Sequence, residues 1–203
     1  DCRDGAQQQF VAIAKDNQGF QEINEYLSPL LHRKEKMPTQ APAFKRAFVI
    51  YPFHSATPDT LREDEYIGVA VRDLLKVPFS KVKHLKDKMV IMQTVSFRHQ
   101  SDFNVHRLLR AIDNNTLLSK LEKSEEGHLW DRFYTEKDLL AAYQDYPQMI
   151  QNTKMIMDQC SIHFEFGNDY AHKNISTYNK TLSEDYQHIR RLCLEGLRYR
   201  YPK

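Results

Sequence analysis

The residues able to do chemistry in this chain are scattered. Its nine histidines stand singly, with no His-x-His pair, whereas a two-metal phosphoesterase needs several His and carboxylate ligands converging at strand ends. His99 and His106 are the closest pair, and their spacing across a helix start suits a surface residue and a helix-packing residue rather than two ligands. Cys2, Cys160 and Cys193 are odd in number, widely spaced and free of any CxxC, so neither a disulfide framework nor a thiolate zinc site is expected. Cys160 falls at the buried end of an expected helix with no base beside it in sequence, and reads as a small hydrophobe rather than a nucleophile. Glu63-Asp64-Glu65 is the densest acidic run; three adjacent side chains cannot converge on one ion, so a solvated turn is expected. Trp130 is the single tryptophan and follows Glu125-Glu126-Gly127, as a loop anchor or a partner contact. No Gly-rich phosphate loop, GxSxG elbow or HExxH motif is present.

The elements that must position these residues change character along the chain. Up to about residue 100, short apolar runs alternate with polar, proline-bearing connections, the pattern of an α/β fold. Strands are expected at Phe10 to Ala14, Ala47 to Tyr51, Tyr66 to Val71 and Met89 to Phe97. Phe20, Ile23, Leu27 and Leu30 recur at helical spacing, with Pro29 expected to end or kink that helix, and a short helical piece follows through Leu74 and Leu75. Beyond residue 100 the helical period dominates. Ser101-Asp102 can cap a helix with Val105, Leu108, Leu109 and Ile112 on one side, and Thr135 with Asp138 resembles a capping box. Pro147 suits the first turn of a helix that puts Met149, Ile150, Thr153, Ile156, Met157 and Cys160 on one face. A strand through Ile162, Phe164 and Phe166 should follow, closed by Gly167. After a polar loop, Ser183 is expected to cap a last helix with Tyr186, Ile189, Cys193 and Leu197 facing inward.

With 29 Lys+Arg against 27 Asp+Glu, the formal net charge is +2, which gives no global pull towards nucleic acid. The densest basic stretches, His32 to Lys36, Lys81 to Lys88 and Arg190 to Lys203, read as solvated faces. No apolar run approaches the roughly 18 residues of a membrane span, and the N-terminus lacks the basic-then-apolar pattern of a signal peptide. A soluble, cytoplasmic protein with reduced thiols and no membrane partner is expected. The length suits one domain or one and a fraction, and the start at Asp1 without Met suggests a piece of something longer.

One long segment carries a resemblance. Asp145-Tyr-Pro-Gln-Met-Ile-Gln-Asn-Thr-Lys-Met-Ile-Met-Asp-Gln-Cys-Ser-Ile-His-Phe-Glu-Phe-Gly167 resembles a signature of the bacterial DNA polymerase III alpha subunit, a Pro-Glu-Ala-Leu-x-Asn-Thr helix running into x-Cys-Asn-Val and a strand. Pro147, Asn152, Thr153 and Cys160 hold the matching positions. Phe10 to Asn24, with Asn17-Gln-Gly-Phe20, is similar to the family's strand, Asn-x-Gly-Tyr and helix; Asp102 to Ile112 is similar to the helix after its last barrel strand. Glu195-Gly-Leu197 and Arg198 resemble a segment leading into the palm.

The resemblance implies that residues 1–167 are the C-terminal part of a polymerase-and-histidinol-phosphatase (PHP) domain and that 168–203 lead into the polymerase palm. The implied fold is α/β, a partial, shortened PHP-type β/α barrel followed by an α-helical segment. Between Asn24 and Val90 the chain is much shorter than well-known members, so barrel units should be reduced or missing. The implied parent is a DNA-directed DNA polymerase acting in replication or repair synthesis on DNA and dNTPs, with Mg2+ in its palm and a clamp or accessory subunit as a further partner. The family's palm Asp-x-Asp and Gly-Arg-Gly-Ser are absent, so this chain alone should not polymerise DNA. Of the PHP metal set, Asp1 falls near the early Glu and is the candidate remnant metal ligand, while Thr94 and Ser96 stand where Asp and His belong and are poor substitutes. The expected PHP site is therefore degenerate, with no cofactor in this stretch. The alternative is a metal-dependent phosphoesterase or 3′–5′ proofreading exonuclease of the PHP type, and a third reading is an interaction module around Trp130 and Glu122 to Phe133.

Overall fold

A computed structural model of the chain describes residues 1–5, 7–54, 60–164 and 177–201. They group into two units, Asp1–His163 and Phe164–Lys203. The first is built on a five-stranded open sheet in the order β1-β2-β3-β4-β5, with β1 Cys2–Asp4, β2 Gln7–Ala14, β3 Ala47–Pro52, β4 Glu65–Val69 and β5 Met89–Ile91. The first two pairings are antiparallel and the last two parallel. No closed barrel forms from the described residues; the fold is mixed α/β around an open sheet.

The apolar runs explain the sheet's place. Parallel strands covered on both faces read as continuous hydrophobic runs, and β3 is such a strand. Its alternate residues feed two cores: Val49 and Tyr51 join Cys2, Phe10, Met37 and Ala41, while Phe48 and Ile50 join Tyr66, Val90 and Ile156. A third core gathers Ile67 and Val69 of β4 with Leu74, Val77, Met89, Tyr143 and Met149. β4 contains Gly68, where a Cβ would lie 2.5 Å from Met92 Cβ and 2.8 Å from Ile50 Cγ2, so only glycine lets these layers close.

The helices are α1 Asn17–Arg33, α2 Phe103–Asp113, α3 Glu136–Ala142, α4 Pro147–Gln159 and, in the second unit, α5 Leu182–Arg200. α1 does not end at Pro29 but passes through it and ends four residues later, with Lys34 in the left-handed region at φ 54°. Proline removes one internal hydrogen bond, yet the next turn persists because Leu27 and Leu30 on either side of it pack against the core. The expected strand from Met89 to Phe97 shortens to Met89–Ile91, since Gln93 and Trp130 redirect the chain; Phe97 then makes an isolated bridge to Arg132. Thr135 caps α3 by accepting from Asp138 N, and Pro147 opens α4, as the sequence predicts.

α4 is buried through Met149, Asn152 and Ile156, while Met157 turns out to solvent at 70% exposure. Ser161–Phe164 form no strand; instead Ser161 N donates to Lys15 O. Phe166, Gly167 and the boundary between 167 and 168 lie outside the described residues. In the second unit Thr181, not Ser183, caps α5, completing a reciprocal box with Glu184. The side chains expected to face inward from α5, Tyr186, Ile189, Cys193 and Leu197, are exposed, and no residue of this helix is buried.

Candidate functional site

β3, β4 and β5 run parallel, so their C-terminal ends open on one edge of the sheet, the edge where open α/β sheets gather ligands. Three connections leave it. After β3 comes His54, after β4 comes Arg72-Asp73, and after β5 come Gln93 and Thr94. Asp73 is 3% exposed, and its carboxylate accepts from His54 Nε2 at 2.8 Å and Lys76 Nζ at 3.0 Å, with Arg72 Nε 3.7 Å away. Burial pushes the Asp73 carboxyl up, but the hydrogen bonds from His54 and Lys76 outweigh it and hold the group below the usual carboxylate range.

Arg72 also reaches Asp131 Oδ1 at 3.4 Å, and Asp131 Oδ2 accepts from His128 N. Gln93 closes the remaining side: its Oε1 accepts from Val71 N and its Nε2 donates to the Trp130 carbonyl. Beneath the edge, the buried Tyr143 hydroxyl donates to Val69 O at 2.6 Å, and burial raises its pKa.

The arrangement can orient an imidazole. A buried carboxylate fixes His54, whose side chain is 54% exposed, as in the base-and-orienter pairs that move protons. Reading the sequence singles out neither His54 nor Asp73. The signal was their position just past the ends of adjacent parallel strands, which requires knowing the strand order.

The sequence-predicted site residues lie apart from this edge or on its rim. Asp1 is at the start of the sheet's outer hairpin, where its carboxylate accepts from Arg3 Nε at 2.8 Å and Gln8 Nε2 at 2.9 Å. Thr94 is exposed; Ser96 N donates to Asp131 O. Among the described residues no group of three His, Cys, Asp or Glu is placed to hold a metal ion. His99 and His106 do not converge: His99 N is held by Asp102, while His106 stacks on Phe97 and accepts from Gly127 N at 2.9 Å. Cys160 is half-buried with its thiol pKa raised by burial, consistent with an unreactive role. Trp130 is 45% exposed, with Leu129 and Phe133 also open to solvent.

The acidic run is no simple solvated turn. Glu65 is buried and takes hydrogen bonds from Tyr51 Oη and Arg62 N, with the Arg62 guanidinium alongside, while Asp64 pairs with Lys15 at 2.7 Å. A carboxylate enters β4 here because each acceptor finds a donor.

The residues that carry the family resemblance have another use. Asn152 Nδ2 donates to the carbonyls of Asp87 and Met89, and Thr153 Oγ1 accepts from Ile91 N. Together they fasten α4 along the free edge of β5. Asn17 exchanges two hydrogen bonds with the backbone of His163. Gly19 lets α1 approach β3 so closely that a Cβ would fall 1.9 Å from Arg46 O.

No protein-family model matches the chain. In sequence it is 27% identical over 141 residues to the DNA polymerase III subunit alpha of Halalkalibacterium halodurans, a match covering 68% of this chain and 12% of that protein. The chain therefore spans about an eighth of the length of the curated relative it matches. Among the described residues no helix is long and apolar enough to cross a membrane. On this match the chain is related in sequence to the alpha subunits of DNA polymerase III.

Proposed function

We propose that this chain is part of a DNA-directed DNA polymerase of the polymerase III alpha type and serves in it as a scaffold, a shortened PHP-like domain without a working metal cluster. One observation carries the reading: the residues that match the family are spent on packing the fold, Asn152 and Thr153 fastening α4 to the edge of β5, Gly19 letting α1 close on the backbone just before β3, and Asn17 holding the backbone of His163. A metal cluster does not fit the residues on offer. The carboxylate of Asp1 is already neutralised by the guanidinium of Arg3, and a hydroxyl at Thr94 or Ser96 is a weak donor where a carboxylate and an imidazole are needed. On this reading the parent's polymerising carboxylates and their Mg2+ lie elsewhere in the longer protein, which meets DNA and dNTPs.

The test is a pair of measurements. Full-length parent protein is expected to extend a primed template with dNTPs, and this 203-residue chain is expected to retain less than one equivalent of manganese, zinc or iron after dialysis. A parent that cannot extend primers removes the polymerase assignment. A tightly held cluster of two or three metals, or manganese-stimulated removal of 3′ nucleotides lost in Asp1→Ala, replaces the scaffold with the exonuclease alternative.

A further inference from the structure

The stretch joining β4 to β5 carries a concentration of positive charge. Between Arg72 and Lys88 it holds six Lys or Arg against two Asp, while the whole chain is only +2, so the remainder is net negative. The segment is two consecutive 3-10 pieces, Val71–Phe79 and Lys83–Lys88. Leu74, Val77, Val82 and Leu85 pin it to the core. Much of the rest faces water: Leu75 at 87% exposure, Phe79 at 89%, and Lys81, Lys83, His84 and Lys86.

Two features mark this surface, a concentration of positive charge and a presented ring. Several cations elsewhere in the unit are matched, Lys15 with Asp64, Arg46 with Asp16, Arg107 with Glu126 and Arg110 with Glu125, though, among the described residues, Lys34, Lys36, Lys120 and Lys154 are not. Lys81, Lys83 and Lys86 make no ion pair among the described residues. Phe79, moreover, is a fully presented ring held on a rigid base. Pro78 fixes the backbone before it, and Ser80 after it donates both its N–H and its hydroxyl to Val77 O. A backbone fixed in place before binding loses little further freedom when a partner stacks on the ring it carries.

We propose that Phe79, Lys81, Lys83 and Lys86 form a binding site for single-stranded DNA, the ring stacking on a base and the ammonium groups pairing with successive phosphates. An exposed aromatic beside unpaired lysines is the combination that binds single strands without sequence preference. An anionic lipid surface would ask for a broad apolar face on a long amphipathic helix; here Leu75 and Phe79 stand on a short 3-10 segment. The choice of DNA over other polyanions rests on the polymerase reading above.

The experiment follows a fluorescein-labelled oligothymidylate by anisotropy as this 203-residue chain is added, over a range of salt concentrations. Binding is expected to weaken with salt, and the triple variant Lys81→Gln/Lys83→Gln/Lys86→Gln to flatten the logarithmic salt slope by about two, at roughly 0.7 per phosphate contact on a single strand. Phe79→Ala should weaken binding at least about five-fold, and Phe79→Tyr, which keeps a ring, should restore it. Arg190→Gln/Arg191→Gln, in the basic part of α5, should leave affinity unchanged. Absence of binding at low salt overturns the proposal, as does wild-type affinity in both the triple variant and Phe79→Ala. Capture by phosphatidylserine vesicles that the oligonucleotide cannot compete away assigns the surface to lipid instead. Absence of binding by the unaltered chain with primer extension by the parent intact refutes only the site, while binding here without primer extension refutes only the polymerase assignment.

Discussion

At the N-terminus of α1 a single carboxylate does two jobs. Asp16 accepts from Gly19 N as the helix cap and pairs with the Arg46 guanidinium at the start of β3. The Arg46 hydrogen bond, with the cap bond behind it, lowers its pKa from 3.8 to about 2. A carboxyl whose folded pKa is depressed contributes stability above its unfolded value, and that contribution drains away as pH falls through the folded one. Asp16→Asn keeps a cap oxygen but loses the charge, so it should lower the urea midpoint at pH 6 and approach the wild type near pH 2, with the gap closing between about pH 4 and pH 1. Urea titrations of both proteins at several pH values check this; a gap that stays constant to pH 2 would show that the ion pair adds nothing. The ion pair was not readable from residue type alone, because the sequence offers Asp16 without saying that Arg46, thirty positions on, lies beside it.

Among the elements, the edge of β5 shows how far periodicity reaches. The helical spacing of Met149, Thr153 and Ile156 is legible in the sequence and α4 forms as it predicts. Hydrophobic periodicity is blind to Asn152, a polar residue 7% exposed on the packed face, because its burial depends on carbonyls that only the folded strand presents. The reverse error arises at α2. Its apolar positions Val105, Leu108, Leu109 and Ile112 are 49–66% exposed, while Arg107 and Arg110 turn inward to Glu126 and Glu125. Periodicity finds the stripe but not which side of the helix turns inward. A free strand edge is a template for unwanted pairing, and Asn152 and Thr153 cover this one. Thr153→Val, nearly the same shape, leaves the Ile91 N–H without its partner and should cost about 1–3 kcal/mol. Hydrogen exchange at the Ile91 amide should accelerate in step with the lost stability. Unchanged protection of Ile91 would mean that another acceptor holds the edge.

At the scale of the whole molecule the sheet explains which residues fold together. All three hydrophobic clusters are built from residues between Cys2 and Cys160, and the five strands lie between Cys2 and Ile91. The sequence signals an α/β class through its alternating runs, but the open strand order depends on long-range pairings, β2 with β3 across α1 and β4 with β5 across the basic 3-10 segments, which no local pattern encodes. α5 contributes no buried side chain, although its capping box and apolar spacing are those of a stable helix. A chain ending at His163 therefore keeps all three hydrophobic clusters found among the described residues. It is expected to unfold in one cooperative transition with a midpoint within a few degrees of the 203-residue chain, since a difference of about 1 kcal/mol shifts a domain of this size by roughly 2–4 °C. Differential scanning calorimetry of the two chains measures it. A broad, non-cooperative melt of residues 1–163, or a fall of about 10 °C, would place part of the first unit's stability in residues 164–203, and the self-sufficiency of the first unit would fail with it.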